Sequence, residues 1–397
     1  MKAAIMGFGT IGSGVYEVLK VNRRVIERRV GSPIDVKYIL DLREFEDQEI
    51  APLIVHDYKE IAADPEVDMV VETMGGVEPA FTFVKTMLEA GKHVATSNKA
   101  LVADKGTELI RIAREHSVSF LFEASVGGGI PIIRPLLECL TADVIEEITG
   151  IVNGTTNYMM TEMSANGTDF DEVLKEAQDK GFAEQDPTAD IEGYDACRKI
   201  AILTSLIAGR QVDYQDIPTE GIRGISATDM KYAKILKRSI KLLATSRKVG
   251  DTYVARVAPY LLPASHPLSK VDGVFNAIFV HGNMLGDGMF YGSGAGKLPT
   301  ASAVVGDLVE IARNLDKNLP IDWEPEALAL GDPQETVERF FVRSSSAMSL
   351  IEDTFGPVNL IEAQKDGEHA FVTEPMSEKE FAAKTAAIDL ISMIRMG

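Results

Sequence analysis

With 397 residues, 45% hydrophobic and 25% charged, the chain has the composition of a globular protein of two or three domains, which excludes a disordered or fibrous one. A formal net charge of −20 would repel a polyanion over most of the surface, which excludes nucleic acid as a partner. No apolar run reaches the roughly 18 residues a membrane span needs, and the longest, Ile200–Ala208, reads as a buried helix, so no membrane partner is implied.

Lys2–Met6 is the first expected strand. Glycines follow it too soon for a signal-peptide core, and Cys139 and Cys197 lack CxxC spacing and read as reduced thiols; both features point to the cytoplasm. A helix is expected from Gly12 to about Arg29, then a strand at Asp35–Leu40. Met69–Glu72 and Lys92–Ala95 are further strands around a helix at about Pro79–Ala90, and Ser119–Phe122 adds another. This alternation predicts an α/β, Rossmann-type doubly wound parallel sheet, a dinucleotide-binding domain over residues 1–135. Beyond Pro131 the pattern changes. Ile145–Val152 is β-like, and helices then dominate to about Lys241, one of them opened by a capping box at Thr168 and Asp171. Residues from Lys241 to Phe290 turn β-rich, with strands at Tyr253–Val257 and Phe275–His281. Pro299–Arg313 is a helix with proline in its first turn, and the stretch 299–315 is a candidate to pack back on the first domain. The segregation of strands and helices predicts an α+β second domain over 136–320. A linker around Pro320–Pro333 leads to a C-terminal piece, 334–397.

The strongest local signal is Gly7-Phe8-Gly9-Thr10-Ile11-Gly12, directly after the first strand. Gly7 permits the tight turn, Gly9 lets a pyrophosphate approach the backbone, and Gly12 lets strand and helix pack closely. The phosphates would sit on the free N–H groups of the helix N-terminus. Asp41 is the acid expected at the end of the second strand, later than the usual ~20 residues, and would accept from a ribose hydroxyl. Arg43, two residues on, could hold a 2′-phosphate, so NAD and NADP both remain open. Ser97-Asn98-Lys99-Ala100 follows another strand, where ligands of an open α/β sheet collect. Lys99 there could hold a substrate carboxylate or steer a proton; taken alone, it reads equally well as a surface lysine.

A third cluster runs from Gly181 through Glu184, Asp190 and Asp195 to Lys199. Asp195 and Lys199 stand one helical turn apart. As a solvated pair they would contribute little, but the helix continues as Ile200-Ala201-Ile202-Leu203, apolar nearly all round, which brings its start toward the interior. Acids converging on a lysine suit a cationic amino-acid substrate and a proton donor. Two glycine-rich stretches, Glu123–Pro131 and Gly292–Gly296, read on composition alone as flexible connections.

Taken in order, these pieces resemble homoserine dehydrogenases. The matching motifs are GFGTIGSGV (7–15), ETMGG (72–76), TSNKALVA (96–103), EASVGGGIPII (123–133), GIVNGTTNYMM (150–160), GFAEQDPTADIEGYDACRKIAIL (181–203) and GSGAGKLPTASAVVGDL (292–308). The resemblance implies reversible hydride transfer between NAD(P)H and aspartate 4-semialdehyde, giving homoserine in threonine and methionine biosynthesis. It implies that Lys199 is the proton donor and Lys99 a second essential lysine, with Glu184, Asp195, Asp190 and Thr155 on the substrate. It places Gly7, Phe8, Gly9, Thr10, Ile11, Gly12, Asp41, Arg43, Thr73, Gly75, Ser97, Lys99, Gly181, Gly294 and Gly296 at the cofactor. A monovalent cation, sodium or potassium, would lie at Glu123, Val126, Gly128 and Ile130. A homodimer through the second domain's sheet is also implied.

Three features depart from the family pattern. Phe182 stands where relatives often carry Tyr, the surroundings of Asp41 differ from relatives with an arginine at that strand end, and the C-terminal piece resembles a shortened ACT-type module with too little chain for every strand. Such a piece reads as a dimer-supporting or vestigial appendage rather than a threonine sensor. Two other readings of the chain are a two-domain dehydrogenase for another small carbonyl and a non-catalytic dinucleotide sensor. The acids of 181–203 speak against the first, and the presence of both lysines against the second. Neither cysteine lies in a motif suited to a nucleophile.

Overall fold

The computed structural model describes residues 1–397, which form two compact units: Met1–Ile145 with Ala201–Tyr214 and Gly282–Leu328, and Glu146–Ile200 with Gln215–His281 and Ala329–Gly397. No helix is long and apolar enough to cross a membrane.

The first unit is built on a six-stranded parallel sheet ordered Ile54–Val55, Asp35–Leu40, Lys2–Met6, Met69–Glu72, His93–Thr96, Phe120–Leu121. Strands covered on both faces are apolar along their whole length, and Met69–Glu72 and His93–Thr96 are buried at every position. Strand order reverses between Lys2–Met6 and Met69–Glu72, the switch point at which such sheets bind ligands. Ala3, Ile5, Met69, Val71 and Ala95 share one core with Val15 and Leu19 of the helix Thr10–Val21 and with Ala301, Val304 and Leu308 of the helix Lys297–Arg313. The two helices approach closely because residue 14 is glycine: a Cβ there would lie 2.9 Å from the Lys297 carbonyl oxygen.

The single helix expected from Gly12 to Arg29 is two, Thr10–Val21 and Arg23–Val30. Asn22 leaves helical geometry (φ −95°, ψ 13°), and the redirected second segment buries Ile26 alone in the core.

The second unit carries a long mixed sheet ordered Phe275–Gly282, Ile145–Ile151, Arg238–Val249, Thr252–Pro263, Leu390–Met396, Val337–Ser344, His369–Val372, Asn359–Ile361. The strand expected at Tyr253–Val257 is the first half of a twelve-residue one, Thr252–Pro263, paired antiparallel with Arg238–Val249 along its whole length. The capping box expected at Thr168 and Asp171 does not form. Asp169 takes the N-cap position without a side-chain bond, because the buried Phe170 opens the helix Phe170–Asp179 one residue later. A true capping box stands at Ser226 and Asp229, before the helix Ala227–Ile235.

The C-terminal piece carries five strands and two helices. Val337–Ser344, Met348–Phe355, Asn359–Ile361, His369–Val372, Met376–Ser377, Glu378–Thr385 and Leu390–Met396 follow in the order β-α-β-β-β-α-β around Phe340, Val342, Ile351, Phe371 and Phe381. The strands fit because they are short, Asn359–Ile361 having only three residues.

Candidate active site

Each glycine of the first turn meets a specific demand. Gly7 has φ 92°, and a Cβ at Gly12 would lie 1.9 Å from the Gly7 carbonyl oxygen, so nothing larger fits. A Cβ at Gly9 would meet no atom within 4 Å, which leaves open space above the turn. The helix behind it has no acid in its first turn and no side-chain cap, so its N–H groups and dipole are available to an anion. The Phe8 ring is core, edge-on to Phe45 at 5.4 Å between centroids, and only its backbone serves the turn. Opposite signatures are therefore expected from Gly12→Ala and Gly9→Ala. The first should unfold the first unit at a lower temperature; the second should leave melting unchanged and weaken dinucleotide binding about tenfold or more, by titration of NADH fluorescence.

Asp41 and Arg43 grip each other. Asp41 Oδ1 accepts from the Arg43 amide at 3.0 Å and its Nε at 2.9 Å, and Oδ2 accepts from the Phe8 amide and an Arg43 Nη, both at 2.9 Å. The Arg43 guanidinium holds the Asp41 carboxyl far below the usual carboxylate range. The same Nη donates to the Phe8 carbonyl at 2.9 Å, and the guanidinium lies 5.2 Å over the Phe45 ring while facing solvent.

Thr73, Ser97 and Lys99 gather at the neighbouring strand ends. Thr73 Oγ1 donates to the Gly7 carbonyl at 2.8 Å, and the Ser97 amide donates to the Glu72 carbonyl at 3.4 Å. Lys99 is half-buried at the first position of the helix Lys99–Glu115, whose Asn98 cap accepts from the Leu101 amide at 3.1 Å. Gly75 is exposed with φ 82°.

In the same unit, the Glu123 carboxylate accepts three amides, those of Ile132 at 2.6 Å, Ile133 at 2.8 Å and Arg134 at 2.7 Å, while its own amide donates to Asp307 at 2.9 Å. These bonds fasten the 123–134 turn, in which Gly127 and Gly128 both take positive φ. Residue 128 must be glycine, since a Cβ would lie 2.4 Å from the Gly294 carbonyl oxygen. Gly296, at φ 114°, caps the helix Lys297–Arg313.

In the second unit, the helix Tyr194–Ala208 brings Asp195 and Lys199 together as its spacing implies. Lys199 Nζ donates to Asp195 Oδ2 and to the Val152 carbonyl, each at 2.7 Å, and both side chains are nearly buried, at 10% and 4% exposure. Asn153 joins the acids: its Nδ2 donates to Asp190 Oδ1 at 2.7 Å and Asp195 Oδ2 at 2.8 Å, while its Oδ1 caps the helix Gly154–Asn166. Burial, and then the nearby Asp195, push the Asp190 carboxyl above its ordinary range. Thr155 Oγ1 donates to the Phe182 carbonyl at 2.7 Å. Glu184 is not drawn into this group; it is exposed at the end of the turn that Gly181 opens at φ 75°. A lysine held beside a carboxylate and out of bulk water suits proton delivery to an oxyanion.

Sequence reasoning missed Asn153 and Glu72. An asparagine before a helix is an ordinary cap signal, and only its second bond, to acids far along the chain, marks it as part of the site. The fully buried Glu72 gave no local sign, since burial of an acid is read only from the fold.

A family model described as homoserine dehydrogenase matches residues 131–309, and one described as homoserine dehydrogenase, NAD binding domain, matches residues 7–123. A homoserine dehydrogenase of Bacillus subtilis is 42% identical over 318 residues, covering 79% of this chain and 73% of the relative. One from Neisseria gonorrhoeae is 45% identical over 311 residues, covering 78% and 72%. The crystal structure of a homoserine dehydrogenase from Thiobacillus denitrificans superposes with a TM-score of 0.92 at 34% identity, over 100% of this chain and 98% of that one. A hyperthermophilic archaeal homoserine dehydrogenase in complex with NADPH superposes with a TM-score of 0.65 at 28% identity, over 78% and 96%. Two family models on consecutive parts of the chain, relatives over four-fifths of it and a solved structure over all of it agree: the chain belongs to the homoserine dehydrogenase family, NAD(P)-dependent oxidoreductases.

Proposed function

We propose that this protein reduces aspartate 4-semialdehyde to homoserine, and runs the reverse reaction, with Lys199 as the acid that protonates the carbonyl oxygen. The observation that carries the assignment is the buried contact of Lys199 with Asp195, 2.7 Å long and braced by Asn153. When bound, the dinucleotide supplies or takes up the hydride. Lys199 gives its proton to the alkoxide oxygen as charge develops there, and Asp195 holds the ammonium in place and attracts its replacement proton. Asp190, Asp195 and Thr155, with Glu184 at the exposed edge, receive the substrate's ammonium and hydroxyl side. Lys99 acts as the second lysine, beside the dinucleotide turn of Gly7–Gly12 with Asp41, Arg43, Thr73, Gly75 and Ser97. Gly181, Gly294 and Gly296 complete the cofactor's surroundings.

Both dinucleotides fit this reading, with NADP taken through Arg43. The Asp41 oxygens are already committed to N–H groups, whereas the guanidinium faces solvent and keeps donors for a phosphate. Arg43→Ala should raise the KM for NADP about tenfold or more and change that for NAD little, as one lost charge-assisted pair implies. An unchanged ratio would remove Arg43 from cofactor choice.

A monovalent cation, sodium or potassium, fits the 123–130 turn through main-chain oxygens of Glu123, Val126, Gly128 and Ile130. Because the Glu123 carboxylate is spent on three amides, its carbonyl is the oxygen it has to offer. We also assign a homodimer and a cytoplasmic location. The C-terminal module then serves as an ACT-like support: its last strand pairs parallel with Thr252–Pro263, at Tyr260 with Arg395 and Leu261 with Met396, which favours a fixed brace over a mobile sensor. The test is homoserine-dependent reduction of NAD⁺ and of NADP⁺ by the purified protein, each with and without sodium or potassium. Turnover with homoserine but not malate supports the assignment; folded, dinucleotide-binding protein without turnover overturns it.

A further inference from the structure

The ends of three adjacent strands form one row, Met6 paired with Glu72 and Glu72 with Thr96. The two outer strands run on into the dinucleotide turn on one side and into Lys99 on the other. Between them stands a carboxylate with no exposure to solvent. Glu72 Oε1 accepts from the Met74 amide at 2.7 Å, the Gly75 amide at 3.4 Å and Asn98 Nδ2 at 3.4 Å, and Oε2 accepts from Thr96 Oγ1 at 2.5 Å. Thr96 Oγ1 in turn accepts from the Asn98 amide at 2.9 Å, and Asn98 Nδ2 donates to the Gly76 carbonyl at 2.6 Å. All four direct partners donate to Glu72 as the bonds stand, three of them N–H groups on Oε1 and one the Thr96 hydroxyl on Oε2.

We propose that Glu72 is a positioning residue for hydride transfer: it ties the turn Thr73–Gly76, which holds the Gly7 carbonyl, to the Asn98 cap from which Lys99 springs. A buried acid is costly unless its bonds are worth more elsewhere, and here one side chain sets two loops whose residues serve the cofactor and the second lysine. The inference rests on the proposed placing of Lys99 and the dinucleotide turn. A neutral amide of the same shape replaces Glu72 only in part: with its oxygen on the three N–H donors, its NH₂ meets Thr96 Oγ1, whose hydroxyl must then stop donating and rotate away.

Glu72→Gln in the full-length enzyme is the test, read as the single-turnover rate of NAD⁺ or NADP⁺ reduction by homoserine, with dinucleotide affinity from the fluorescence of the reduced form and with thermal melting. The expected result is a hydride-transfer rate lower by about 10²-fold, the scale of a misplacement of about 1 Å, with affinity and melting near wild type. Thr96→Val should lose rate in the same way and Thr96→Ser regain part of it, which keeps the test alive if Glu72→Gln folds poorly. An unchanged single-turnover rate, or a loss confined to affinity or to melting, would overturn the proposal. Lys99→Ala run in parallel tests the reading beneath it. If that variant keeps the wild-type rate while Glu72→Gln does not, the Lys99 assignment falls and the hold of Glu72 on the dinucleotide turn stands.

Discussion

Lys199→Ala is expected to lower the rate of homoserine oxidation about 10³-fold, within the range general acid–base groups contribute, while dinucleotide affinity stays unchanged. Affinity should hold because the turn that receives the phosphates is built from Gly7–Gly12, Asp41 and Thr73, whereas Lys199 bonds Asp195 and the Val152 carbonyl. The substitution also has a structural cost. Lys199 neutralises Asp195, and Asp190 already lies above its usual range because of burial and Asp195. Without the ammonium, the two acids beside Asn153 lose a counter-charge, and the Asp190 carboxyl should move further above its usual range. Lys199→Met, which keeps the bulk, should show the same loss of rate. The readout is single-turnover absorbance of the reduced dinucleotide, alongside the melting temperature. A rate within tenfold of wild type in folded protein would remove Lys199 from the chemistry. A rate loss that vanishes on raising homoserine would make it a binding residue.

The same contacts explain which parts of the protein could be read before folding. The parallel sheet and its glycine turn were legible because most strands are short apolar runs and Gly7 and Gly12 answer local steric demands, seen at their clearest in the 1.9 Å approach of a Gly12 Cβ to the Gly7 carbonyl. The pairing of Asp195 with Lys199 was legible because helical geometry alone sets it. Long-range commitments were not. Asp41 looked like a free acceptor for a ribose, and its bonds to Phe8 and Arg43 depend on how two strand ends meet. The Glu123 carboxylate is another such case, for it fastens the amides of residues 132–134, nine to eleven positions along the chain. The family motif marks such residues without saying what they do. The C-terminal strands were hard to read for a different reason: strand length is set by what the sheet must cover, and three residues suffice at an edge.

Glu378→Ala is expected to destabilise the second unit by about 3–5 kcal/mol, the scale for removing one partner from a buried ion pair. Its carboxylate is shared by two buried arginines, Arg256 and Arg395, with side-chain exposures of 6% and 2%. Arg395 also donates to Glu220 at 2.8 and 2.5 Å, and Arg256 to Glu338 at 3.5 Å and to the Pro333 carbonyl at 2.9 Å. Tyr260 donates to Glu338 at 3.3 Å, which closes the network against the strand Thr252–Pro263. Taking out the shared acid leaves two desolvated cations facing each other with fewer counter-charges than they need. Part of the loss is smaller and local, since Glu378 opens the helix Glu378–Thr385 and complements its dipole by about 0.5 kcal/mol. Lys379→Ala is the control: its pair with Glu335 is exposed on both sides, at 71% and 64%, and should change stability by less than about 0.5 kcal/mol. Urea unfolding at one protein concentration, followed by far-UV circular dichroism, compares the two. A Glu378→Ala midpoint as close to wild type as that of Lys379→Ala would mean that water reaches the arginines and the network contributes nothing. A large shift would mean that the C-terminal strand is held to the long sheet by charge as well as by its backbone pairing at Tyr260 and Leu261.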